Sequence, residues 1–97
     1  MTRIGYYMRT STYLQKTERQ DEKVEDGWRL YKDKGVSGRV PFEDRPQGKK
    51  LLSDVEKGLV DEIKVIPLDR LGRNTEDVLK TIRTIHESNV SIHIIKQ

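Results

Sequence analysis

The feature that most constrains this chain is an alternation of short apolar runs with segments of helical periodicity. Arg3-Ile4-Gly5-Tyr6-Tyr7-Met8 opens as an apolar and aromatic run suited to a buried strand. Trp28-Arg29-Leu30-Tyr31 alternates as a second strand after Gly27. Ile63, Val65 and Ile66, closed by Pro67, form a third, and Val90, Ile92, Ile94 and Ile95 a fourth. Between them, residues 15–26 read as a short exposed helix that Gly27 ends. Leu51, Leu52, Val55 and Leu59 mark one helical face after Pro46, and Gly58 marks the helix end. Val78, Leu79, Ile82 and Ile85 mark another, capped by Asn74 or Thr75 with Glu76 and Asp77 in its first turn. The order β-α-β-α-β-α-β predicts an α/β fold: an open, mainly parallel four-stranded sheet with helices on both faces.

In such sheets ligands bind beyond the carboxyl ends of the strands, near a switch in strand order. The polar segments 9–12, 33–45 and 69–73 each follow a strand, so all three are expected at one edge. That edge would collect Arg9, Ser11, Ser37, Arg45, Asp69, Arg70 and Arg73. Arginines crowded on a small surface repel one another unless an anion is bound. The planar guanidinium holds phosphate bidentately and stays charged at any working pH. A hydroxyl among arginines, without a histidine base or an acidic cluster for Mg²⁺, suggests nucleophilic attack on a phosphodiester. Asp69 could accept a proton, orient an arginine or donate to the leaving oxygen. Plainer readings exist: Ser11 as a turn or cap residue, Ser37 as a loop residue, and the arginines as solvated surface.

Composition sets limits on these readings. The 97 residues form one small domain, 33% apolar and 36% charged, so the core is modest. There is no cysteine, which excludes disulfides and thiolate metal sites. His86 and His93 lack a second ligand at metal spacing, and neither metal nor cofactor is expected. The formal charge of +3 is weak evidence for nucleic acid by itself. With no apolar run of membrane-spanning length and no signal-peptide pattern, the chain reads as cytoplasmic, without a membrane partner.

At these residues the sequence resembles the serine recombinase (resolvase/invertase) family. Tyr6-Tyr7-Met8-Arg9-Thr10-Ser11-Thr12 with Gln15 resembles its first motif, a strand ending in Arg-x-Ser-Thr with a glutamine after it. Gln20 matches a second glutamine. Asp33-Lys34-Gly35-Val36-Ser37-Gly38 resembles the family's Asp-x-Gly-x-Ser-Gly loop. Arg45-Pro46 before an amphipathic helix matches the next landmark, and Leu68-Asp69-Arg70-Leu71-Gly72-Arg73 the most specific one. The match covers nearly the whole chain, and it implies a resolvase-like, flavodoxin-like strand order.

The resemblance further implies a catalytic domain that cuts double-stranded DNA without metal or ATP. Ser11 would be the nucleophile, forming a 5′-phosphoserine link. Arg9, Arg45, Arg70 and Arg73 would bind and polarise the phosphate, and Asp69 would act as acid/base or organiser. Gln15, Gln20, Asp33 and Ser37 would support the site. The complete protein would work as a homodimer and homotetramer. The sequence stops at Gln97, short of the family's dimerisation helix and DNA-binding domain. Residues 1–97 therefore read as a truncated catalytic domain, expected to be a monomer or weak dimer and inactive alone. A non-catalytic remnant serving as a binding or regulatory module is the competing reading. A receiver-like signalling domain is disfavoured, because Arg9 and Ser11 stand where its Mg²⁺-binding acids would be.

Overall fold

The computed structural model describes residues 2–10, 25, 27–65 and 71–95. Strands β1 (Ile4–Thr10), β2 (Arg29–Lys34), β3 (Glu62–Val65) and β4 (Ser91–Ile94) form one sheet in the order β2-β1-β3-β4. Every pairing is parallel, with Tyr7 opposite both Tyr31 and Val65. A 3-10 turn (Phe42–Asp44) and helix α1 (Pro46–Glu56) lie between β2 and β3, and helix α2 (Thr75–Glu87) between β3 and β4. The α/β class and strand order match the sequence expectation. Of the expected helix at 15–26 only residue 25 is among the described residues, and Ile66 and Pro67 lie outside them.

The two described helices cover the same face. Alternation along the strands sends Tyr7, Tyr31, Ile63 and Val65 to that face, where they pack with Leu51 and Val55 of α1 and Ile85 of α2. Phe42 joins this core fully buried, its ring edge-on to Tyr7 at 4.8 Å. Burying such a ring is worth roughly 2–3 kcal/mol. Tyr6 and Met8, on the opposite face, are also buried, and Tyr6 packs on Trp28 with ring centroids 5.8 Å apart. β1 is thus covered on both sides, which explains its continuous apolar run.

Three details depart from expectation, each for a physical reason. The second strand runs to Lys34, because Arg9 and Thr10 pair with Asp33 and Lys34 and extend the ladder; Asp33 is a strand residue, not a loop residue. α1 ends at Glu56, and Gly58, at φ +74°, reverses the chain before Leu59. On α2, Leu79 is 54% exposed while Thr81 is buried. The Thr81 hydroxyl donates to the Asp77 carbonyl at 3.0 Å, which lets a polar residue take the inward position.

Gly48, in the first turn of α1, yields a prediction. Alanine normally gains about 1 kcal/mol over glycine inside a helix. Here an added Cβ would collide with the Phe42 carbonyl oxygen and press on the Phe42 ring and Arg45 Cβ at 3.3 Å. Gly48→Ala is therefore expected to lose about 1–3 kcal/mol, seen as a lower urea midpoint at unchanged slope. A stabilised variant would show that the 3-10 turn yields freely.

Candidate active site

The carboxyl end of β1 is sewn to the loop that follows β2. Arg9, half-buried, donates from Nη1 to the Val36 carbonyl at 2.7 Å. The Val36 amide donates to the Thr10 carbonyl at 3.1 Å, and the Gly35 amide reaches the Thr10 hydroxyl at 3.4 Å. Gly38 passes close to the Arg9 guanidinium, with room for a Cβ only 3.4 Å from Nη2. Ser37 is exposed, and its hydroxyl oxygen accepts from the Arg39 amide at 3.1 Å, a local turn contact.

Arg45 approaches the same loop from beneath. It is fully buried, and burying a guanidinium is costly unless its donors are satisfied. Nε donates to the Val40 carbonyl at 2.9 Å and Nη2 to the Gly38 carbonyl at 3.3 Å. Nη1 donates to the Tyr7 hydroxyl at 3.3 Å, and Tyr7 donates in turn to Asp33 at 2.8 Å. Cation, phenol and carboxylate thus form a buried relay, with Phe42 5.7 Å from the guanidinium. Gly38 lies between Arg9 and Arg45, so the loop 36–40 is gripped by two guanidinium groups.

Asp33 has a second task. Its carboxylate accepts from the Gln47 and Gly48 amides at 2.8 and 3.1 Å. These are orphan donors of the first turn of α1, whose own N-cap residue, Arg45, makes no side-chain cap. A strand residue therefore caps the helix across the sheet edge. At the start of α2, Asn74 accepts from the Asp77 amide at 2.8 Å. The Asp77 carboxylate accepts from the Arg73 amide at 2.9 Å and the Phe42 amide at 3.1 Å. Both helix N-termini at this edge are thus satisfied by the chain's own side chains.

The arginine side chains remain as the anion-seeking chemistry of the described edge. Arg9 and Arg45 meet at the loop 36–40. Arg73 is exposed and lines a depression of about 470 Å³ with Pro41, Glu43 and Lys80. Ser11, Gln15, Gln20, Asp69 and Arg70 lie outside the described residues. Among the described residues no group of three or more His, Asp or Glu side chains could hold a metal ion. No described helix is long and apolar enough to cross a membrane.

Two structural residues of the site escape sequence reasoning. Tyr7 reads as core, and nothing local announces that its hydroxyl links Arg45 to Asp33. Asp77 reads as a favourable charge in a helix first turn. The Asn74-x-x-Asp77 spacing, a relative of the capping box, signals its local role but not its grip on Phe42.

The buried phenols make stability depend on alkaline pH. Burial raises the Tyr7 pKa, opposed by the hydrogen bond from Arg45, and also lifts Tyr31 to about 12, helped by its bond to Asp54 at 2.7 Å. The folded state holds these protons above the ordinary tyrosine value of about 10, where the unfolded chain releases them. Their contribution is complete below pH about 10 and is lost as pH rises toward 12 and beyond. Urea midpoints between pH 8 and 12 should fall only above about 10, and Tyr31→Phe should flatten the decline. An equal slope in that variant would remove Tyr31 from the effect.

Comparison with known proteins agrees with this geometry. Residues 4–97 match the family model described as resolvase, N terminal domain. The chain is 34% identical over 100 residues to the transposon Tn2501 resolvase of Escherichia coli, covering 98% of this chain and 50% of that protein. It is 33% identical to the serine recombinase PinR of Escherichia coli strain K12, with the same coverage. The chain therefore spans about half the length of these curated relatives. The crystal structure of the N-terminal catalytic domain of TP901-1 integrase superposes with a TM-score of 0.72 at 27% identity, covering 94% of this chain and 75% of that one. With the family model matched over residues 4–97 and these relatives beside it, this chain belongs to the resolvase family and carries the catalytic domain of a serine recombinase.

Proposed function

We propose that this domain cleaves and rejoins double-stranded DNA through Ser11. The Ser11 oxygen attacks a backbone phosphorus, the bond from phosphorus to the 3′ oxygen breaks, and a 5′-phosphoserine link forms. The serine proton leaves as the oxygen–phosphorus bond forms, and the departing 3′ oxygen takes up a proton to become a hydroxyl. Asp69 is the proposed acid/base or organising group. Arg9, Arg70 and Arg73 hold the phosphate and offset the charge that builds on its oxygens. Arg45 adds its charge from beneath the loop 36–40 and fixes that loop's shape. Gln15, Gln20, Asp33 and Ser37 are supporting residues, Asp33 through the Tyr7–Arg45 relay. The complete protein is proposed to act as a dimer and tetramer, since cutting and exchanging two duplexes takes four nucleophiles.

The observation that carries this reading is the convergence of Arg9 and Arg45 on one loop at the carboxyl end of β1, two residues before Ser11. The test is to incubate the natural protein with nicked duplex DNA, quench in denaturant, digest, and map the adduct by mass spectrometry. A nucleotide-bearing phosphoryl group on residue 11 is expected. Attachment at any other residue would refute the assignment.

A further inference from the structure

We infer that Asp77 is a positioning residue for strand cleavage, clamping the loop that carries Arg73 to the turn that leads into Arg45. The inference rests on the phosphodiester reading above. Its basis is a single carboxylate oxygen, Oδ2, that accepts from two loops at once: the Arg73 amide at 2.9 Å and the Phe42 amide at 3.1 Å. Phe42 opens the 3-10 turn whose C-cap is Arg45. One acceptor thus ties together the backbone segments of two site arginines.

The topology explains why such a tie is needed. β2 and β3 are separated by β1 in the sheet, so no ladder hydrogen bond fixes the loop after β2 against the loop after β3. Asp77 supplies that connection from α2, where its own amide is held by Asn74 at 2.8 Å. Gly72 completes the fit. A Cβ there would lie 2.5 Å from the Val78 amide nitrogen and 2.9 Å from the Asp77 carbonyl carbon, so the Arg73 loop rests its backbone directly on the first turn of α2. The Lys80–Glu43 ion pair at 3.2 Å spans the same gap, but it is exposed and contributes little.

A simpler role would be electrostatic, a negative charge favouring the positive end of α2. The two roles separate by substitution. Asp77→Asn removes the charge but keeps an oxygen acceptor where Oδ2 stands. Asp77→Ala removes both. Asp77→Glu keeps the charge but moves the acceptor by one carbon–carbon bond, and it serves if the alanine variant does not fold.

The experiment measures adduct formation by the natural protein on nicked duplex DNA, with amide hydrogen exchange at Phe42 and Arg73. In Asp77→Ala the cleavage rate is expected to fall on the order of tenfold or more, with DNA affinity falling less. Exchange at both amides should quicken at least about tenfold, a loss worth one hydrogen bond or more. Asp77→Asn should restore most of the rate and protection, and Asp77→Glu should be slow. A slow Asp77→Asn would assign the effect to charge and overturn the inference. Faster exchange at an unchanged cleavage rate would overturn it as well, leaving a purely structural clamp. An unsubstituted protein that forms no adduct would sink the Ser11 reading and this inference with it, whatever the exchange data show.

Discussion

Substituting alanine for Ser11 is expected to reduce covalent adduct formation on nicked DNA by at least about three orders of magnitude, to below detection. The size of the effect follows from what is removed. Loss of an arginine that stabilises transition-state charge leaves a slower reaction, because the other donors remain. Loss of the attacking atom leaves no route to a covalent product. Ser37→Ala is the informative companion. Ser37 is exposed and its hydroxyl serves a turn contact with Arg39, so, as a supporting residue and not the nucleophile, its loss should lower the adduct by no more than about tenfold. Far-UV circular dichroism of both variants establishes that the fold is intact. Adduct at the normal level in Ser11→Ala would transfer the nucleophile to another residue.

Asp33→Ala is expected to cost about 3–5 kcal/mol of folding stability, the figure for breaking a buried charge network by removing one partner. Its carboxylate accepts from the Tyr7 hydroxyl and from two amides of the first turn of α1. Removal uncaps the helix, leaves a buried phenol without its acceptor, and strips the buried Arg45 of the negative charge reached through Tyr7. A domain of this size has about 5–15 kcal/mol in total, so the variant should be close to unfolding at room temperature. Urea denaturation followed by tryptophan fluorescence measures it, since Trp28 is the sole tryptophan. Asp33→Asn, which keeps one acceptor, should fall between. A cost below about 1 kcal/mol in the alanine variant would mean that Asp33 is not what holds the relay and α1 together.

These two substitutions mark different depths of legibility. Ser11 was visible as chemistry because a hydroxyl two residues from Arg9 is a local pattern, and the family landmarks gave it a proposed role. The alternation that places Tyr7, Tyr31, Ile63 and Val65 on one face is also local, since strand and helix periods repeat within a few residues. The order of the elements then constrains the sheet, because a parallel strand needs a crossover, and the two described crossovers each contain a helix.

Other features depend on groups far apart in sequence. Asp33 reads as a loop carboxylate until the β1–β2 ladder extends through it and brings α1 above it. Arg45 reads from sequence as a phosphate-holding residue, and only the fold shows that it is buried, with its three nitrogens serving Val40, Gly38 and Tyr7. Leu79 reads as core but turns outward, while Thr81, two residues on, faces inward with its hydroxyl satisfied by the Asp77 carbonyl.

The sequence by itself determined the α/β class, a mainly parallel sheet and the edge that carries Arg9 and Arg45. Apolar periodicity and chain connectivity are enough for that. Only the tertiary structure decided that Arg9 and Arg45 grip one loop, that a strand aspartate caps a helix, and that Asp77 joins two loops with no strand pairing between them. Hydrogen bonds of that kind are set by where elements pack, and packing is a property of the whole core rather than of any segment that contributes to it.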